Sequence, residues 1–287
     1  MADVTPIGPA CHLGEGPLWH PERQTLFWFD ILQGQLYEAS SGGEMLATRA
    51  FAEPASAAGW VDRDTLLVAT ASALLRLDLE TDRRAPLVPM EADDPATRSN
   101  DGRAGPDGSF WIGTMGRKLE PRAGAYHRFA RGRLERLFDE VTVPNATCFS
   151  PDGRWAYLAD TRRQLIWRWA LEEGAPVGER EIHINLRGTD ANPDGAVCDA
   201  EGCLWNAHWG TGRLVRYDPH GREMSRMELP VSQPTCPAFG GPDLRTLFVT
   251  SAADGLGTRD DPDEPWAGRT LALPAPVAGL PEHRVRL

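Results

Sequence analysis

Six times along the 287-residue chain a short apolar run, a turn rich in Pro, Asp and Gly, and a second apolar run follow one another. "GPLWHPERQTLFWFDILQGQLYEASSG" (16–42), "AAGWVDRDTLLVATASALLRLDLETD" (57–82) and "NATCFSPDGRWAYLADTRRQLIWRWALEEG" (145–174) share this plan. So do "NDGRAGPDGSFWIGTM" (100–115), continued by "GAYHRFARG" (124–132), and "PDGAVCDAEGCLWNAHWGTGRLVRYDPHG" (193–221). A sixth copy begins at "PTCPAFGGPDLRTLFVTSA" (234–252) and continues in "GRTLALPAPVAG" (268–279). The first hairpin turns fall near residues 21, 62, 107, 152, 200 and 243, giving spacings of about 41, 45, 45, 48 and 43 residues. That period suits a four-stranded propeller blade. Segments such as "LFWFD", "LLVAT" and "LFVTS" lack helical periodicity, and 29 glycines and 24 prolines supply the turns. The chain is therefore expected to be all-β, a six-bladed β-propeller with four-stranded blades; a β-sandwich or a pair of barrels is the alternative. No linker-like segment divides it, so residues 1–287 read as a single domain. "VTPIGP" near the start and "HRVRL" at the end are candidates for the outer strands that close the last blade.

Composition narrows the partners. A formal net charge of -11 argues against nucleic acid or an anionic membrane surface. Five cysteines, at 11, 148, 198, 203 and 236, form no disulfide scaffold, and the spacing of Cys198 and Cys203 lacks the second pair a structural zinc site needs. No targeting segment and no run of 18 apolar residues is found, so a cytoplasmic protein with reduced thiols is expected, a monomer or weak oligomer.

If the repeats are blades, aligned positions become neighbours around a central channel. The residue just before each innermost strand is Glu15 in the first repeat, Asn100 in the third, Asn145 in the fourth and Asp194 in the fifth. An oxygen-rich ring drawn from distant segments suits a hard or borderline divalent cation, with water in the open positions. The competing reading is that these Asn and Asp residues only shape turns at strand starts.

The same residues carry a resemblance to the regucalcin/gluconolactonase family, the senescence-marker-protein type of sugar lactonase. The matching stretches are "LGEGPLW", "RSNDGRAGPDGSFWIGTM", "NATCFSPDGRWAYLADT", "NPDGAVCDAEGCLWNAHWGTGRLVRYDPHG" and "FGGPDLRTLFVTS". The resemblance implies a six-bladed propeller with one catalytic divalent metal in its channel. It implies that Glu15, Asn145 and Asp194 are the metal ligands and that Arg98 and Asn100 contact the sugar. Members from animals carry a Glu three residues after "GTM"; here Lys118 stands there and Glu120 two residues later. Either the loop shifts register, or the pocket has exchanged an acid for a base that suits other hydroxyls or a carboxylate-bearing lactone.

The expected activity is metal-dependent hydrolysis of a small-molecule sugar lactone, an aldono-lactone, to the aldonic acid in carbohydrate catabolism. The ion is calcium, zinc, manganese or iron(II). Asp194 is the candidate general base, with a metal-bound hydroxide as the competing nucleophile. The alternatives are a calcium-binding regulatory protein of the regucalcin type, or another ester or phosphotriester hydrolase using the same site. No G-x-S-x-G elbow is present, and the seven histidines show no H-x-x-x-H spacing. His12 and His20 read as surface or turn residues. His208 and Trp209 could flank the pocket, and Trp28, Trp111, Trp155 and Trp205 read as packing between blades.

Overall fold

A computed structural model describes residues 4–256 and 264–287. It is a six-bladed β-propeller, each blade an antiparallel sheet that begins at the channel and ends at the rim. The innermost strands are Gly14–His20, Ala55–Asp62, Thr97–Ala104, Pro144–Phe149, Asn192–Cys198 and Pro234–Gly240. All six expected hairpin turns lie between an innermost strand and its neighbour, and Gly124–Ala130 and Thr270–Pro274 are the third strands of blades three and six. The fourth blade also carries the short strand Ala175–Pro176 on the edge of Leu165–Glu172.

Strands form here because apolar side chains must face both neighbouring blades. Innermost and second strands are buried on both faces, whereas outer strands such as Glu223–Glu228 are mostly exposed. The cores lie between blades. Leu18, Phe27 and Phe29 of the first blade pack with Leu66 and Val68 of the second. Trp19 stacks on Phe248 across the junction of blades one and six, with ring centroids 5.8 Å apart. Trp28, Trp111 and Trp205 are fully buried, as blade packing requires, and Trp155 is partly buried against the core between blades four and five.

Closure uses one terminus rather than two. Thr5–Ile7 pairs with Thr270–Pro274 as the outer strand of the sixth blade. The "HRVRL" tail forms no strand. Residues 275–287 instead cross the hairpin end of the channel, where Ala200 N donates to Ala278 O, Val285 N to Trp60 O and Arg286 N to Gly108 O. Pro276 and Pro281 lack the N–H groups a ladder needs, which is why this stretch takes single bonds from several blades. It is pinned by a buried ion pair between Glu282 and Arg103 at 3.0 Å. The other end of the channel, at the start of the innermost strands, carries the ring.

His20 is also placed differently from expectation. It ends its strand fully buried, its ring accepting the Glu22 and Arg23 N–H groups and contacting Asp62 O, so it braces the turn from inside.

Candidate active site

The ring residues lie within the innermost strands, one to three positions beyond their starts, not before them. The cause is a register shift in every innermost strand at this level, for example between Glu15 and Leu18, Ser99 and Gly102, Asn145 and Cys148, and Pro193 and Ala196. A bulge inserts extra backbone and re-aims side chains, so strand pairing continues past residues that face the channel. Two bulges use left-handed backbone, at Gly16 (φ 56) and the buried Ala146 (φ 57). A Cβ on Gly16 would come within 2.2 Å of Ser56 O, so glycine is required there on two counts.

Glu15, Arg98, Asn100, Asn145 and Asp194 are brought together on one pocket of about 350 Å³, and all five are buried. Lys118 reaches the same pocket from the exposed loop after the second strand of blade three. The Glu120 carboxylate accepts the Lys118 N–H at 2.9 Å, which closes that loop and leaves the acid on the turn. The loop therefore presents the base, not the acid, to the pocket.

The amides are oriented by a chain of donors. Thr161 Oγ1 gives its proton to Pro193 O at 2.7 Å, so it accepts from Asn145 Nδ2 at 2.8 Å. Asn145 Oδ1 then receives Asn100 Nδ2 at 3.1 Å, and Asn100 Oδ1 receives Arg98 Nη1 at 2.8 Å. Tyr126 Oη holds the Asn145 carbonyl at 2.7 Å. The carboxylates are less satisfied. Glu15 Oε2 accepts its neighbour's Gly16 N–H, the Glu15 and Asp194 side chains lie in hydrogen-bonding contact with each other, and no other donor reaches the buried Asp194 Oδ1. Burial and then the charge of Asp101 push the Glu15 carboxyl up to about 8. Burial, then the charges of Glu15 and Asp101, push Asp194 well above the usual carboxylate range.

Two buried carboxyls, both held above the usual range and one with an unpartnered oxygen, beside an amide oxygen held in a fixed orientation, fit a divalent cation. Among the described residues no three His, Cys, Asp or Glu side chains gather in metal-binding geometry, so this set depends on the amide and on water. Further members escaped sequence reasoning. Asp101, beneath the ring, accepts Thr147 N at 2.6 Å, and Thr161, Arg117 and Arg162 line or orient the pocket. Thr161 stands in the quoted "LADT", but its role needs the neighbouring blade to be visible. Trp209 lines the pocket, while His208 turns away to Tyr217 Oη at 3.1 Å.

The family model described as SMP-30/Gluconolactonase/LRE-like region matches residues 13–253. Among similar proteins, the L-arabinolactonase of Azospirillum brasilense is 35% identical over 99% of this chain and 98% of its own. The 6-deoxy-6-sulfogluconolactonase of Pseudomonas putida is 34% identical over 94% of each chain. In structure the chain is similar to a calcium-binding protein, regucalcin, from Agrobacterium tumefaciens, with TM-score 0.94 and 40% identity over 97% of this chain and 95% of that one.

Proposed function

Because the chain belongs to the SMP-30/gluconolactonase/LRE-like family, we propose that it is a sugar lactonase that hydrolyses an aldono-lactone with the help of a divalent cation. The observation that carries this is the meeting of Glu15, Asn145 and Asp194, with Asn100 and Arg98, on one buried pocket floor. The lactonase names of the relatives support the reaction class.

A cation would be held by one oxygen each of Glu15, Asn145 and Asp194. When bound, it supplies positive charge against the lactone carbonyl oxygen and so stabilises the charge that develops there. Arg98 and Asn100, fixed to each other, orient the ring hydroxyls, and Trp209 offers an apolar face to the sugar. Asp194 Oδ1 is free to take the proton of the attacking water. The water oxygen forms the new acyl bond and the bond from acyl carbon to ring oxygen breaks. The proton returns to the departing alkoxide, the carboxylic acid formed ionises, and the products are the open-chain hydroxy carboxylate and a proton.

The test is acid release from glucono-, xylono-, arabinono- and galactonolactones by chelator-stripped protein, with calcium, zinc, manganese or iron(II) restored singly. Activity is expected to return with at least one ion and to be abolished in Asp194→Ala, which keeps its fold because a channel-end carboxylate carries little core packing. No hydrolysis with any ion would overturn the lactonase reading and favour a binding protein. An Asp194→Ala variant that still turned over would remove its assigned role.

A further inference from the structure

The pocket's charge does not suit a neutral sugar. Arg98, Arg117, Lys118 and Arg162 line it, against Glu15, Asp194 and Asp254. A divalent ion on Glu15 and Asp194 cancels those two charges and leaves, among the described residues that line the pocket, four cations facing Asp254. Arg117, Lys118 and Arg162 are exposed at the mouth, and among the described residues none is neutralised by an ion pair. Their hydrogen bonds are backbone ones or reach backbone: Arg117 Nε donates to Thr97 O at 2.9 Å, the Lys118 N–H donates to Glu120 and the Arg162 N–H to Asp160. Arg98 is pushed down to about 10, first by burial and then, against the pull of Glu15, by the charge of Arg117. Arg98 and Arg117 therefore repel each other, in a protein of net charge -11.

Hydroxyls are recognised by amides and single charges, and Arg98 and Asn100 already supply those. A cationic rim above them is matched by an anion on the far end of the substrate. The lactone carbonyl goes to the pocket floor, so the terminal carbon of the sugar chain points to the mouth, where the loop carrying Arg117 and Lys118 meets Arg162 of the next blade. The geometry points to a lactone that bears a carboxylate, sulfonate or phosphate on its terminal carbon as the preferred substrate. Opening such a lactone adds a carboxylate to the anion it already carries, and the rim holds the terminal anion through the ring opening. This inference rests on the lactonase reading of the same site.

The experiment compares kcat/KM for D-glucono-1,5-lactone with its analogues carrying a terminal carboxylate, sulfonate or phosphate, on metal-loaded protein. At least one anionic lactone is expected to be favoured by about tenfold, an advantage that shrinks as ionic strength is raised. The three analogues separate which acid is read. In the double variant Lys118→Gln with Arg162→Gln the ratio of anionic to neutral kcat/KM is expected to fall towards one. Turnover of the neutral lactone at least as fast as every anionic one would overturn the inference while leaving the lactonase intact. If no lactone is turned over with any ion, the lactonase reading fails, and calorimetry with the open-chain acids decides. Glucarate binding more tightly than gluconate, with salt dependence, would uphold the anion site, and equal binding would end it.

Discussion

Burial takes the Glu15 carboxyl from 4.5 up to about 8, with the charge of Asp101 the next cause. A residue whose native pKa is raised holds a proton in the folded chain that the unfolded chain has already released. Cation-free protein is therefore expected to lose stability as pH rises from 4.5 towards 8, and a bound cation reverses the penalty by favouring the ionised form. Glu15→Gln separates the two effects. The variant is expected to bind its ion at least about tenfold more weakly, as lost ligation requires, yet to melt higher than cation-free wild type at pH 8. Calorimetric titration of the ion and melting in chelator check both arms. Unchanged affinity would remove Glu15 from the ligand set, and unchanged melting would mean that its carboxylate finds a partner when charged. Glu15 and Asp194 could be picked from the sequence because their residue types and repeat positions coincide. Their electrostatic strain could not, because it depends on Asp101, which sits in another blade and reads as an ordinary turn former in "RSNDG".

Two blades build the approach to the ring in the same way. Asp30 and Asp160 end the second strands of blades one and four. Asp30 accepts the backbone N–H groups of His12 and Leu13 at 2.8 and 3.2 Å, and Asp160 those of Thr142 and Val143 at 3.0 and 3.2 Å. In each case the second donor stands two residues before a proposed ligand, Glu15 or Asn145. Ile31 N then bonds Leu13 O and Thr161 N bonds Val143 O, both at 3.0 Å, closing matching loops. Each carboxylate thus anchors the segment that delivers one ligand. Asp160→Ala leaves three N–H groups without their acceptor, those of Thr142, Val143 and Arg162, at a cost of about 1–3 kcal/mol for each that stays buried, and is expected to lower ion affinity roughly tenfold although Asp160 is no ligand. Chemical denaturation and ion titration measure the two effects; affinity within about twofold of wild type would show that Asn100, Thr161 and Tyr126 hold Asn145 without Asp160. At this scale alternation and turn residues made the strands readable, including "LFWFD" and "YLAD". The bulges were not readable, since Ala146 adopts left-handed backbone with no glycine to announce it.

Across the whole molecule the ring of blades was legible because its period is long, regular and punctuated by turns. Its fastening was only half legible: an outer strand and a proline-bearing strap both look like short polar ends, and only tertiary contacts tell Thr5–Ile7 from residues 283–287. Closing six blades also buries side chains that would be solvated in an open sheet, the histidines above all. His20, His127, His183, His208 and His283 are all held below the usual histidine range, each first by burial, with His183 and His208 down to about 4. The native chain keeps these rings neutral while the unfolded chain protonates them near 6.5. Between those values the unfolded state binds more protons, so their contribution to stability is complete above 6.5 and is lost as pH falls towards 4. For the buried His208 the loss amounts to about 3 kcal/mol by pH 4. Glu15 and Asp194 oppose this in cation-free protein, so the test compares wild type with His208→Gln under identical conditions, which cancels the carboxylates. Glutamine can keep a bond to Tyr217 without taking a proton. The stability gap between the two proteins is expected to be constant above pH 7 and to move in favour of the variant as pH drops to 4.5. A gap that stays constant to pH 4.5 would mean that His208 is protonated as readily in the folded propeller as in the open chain.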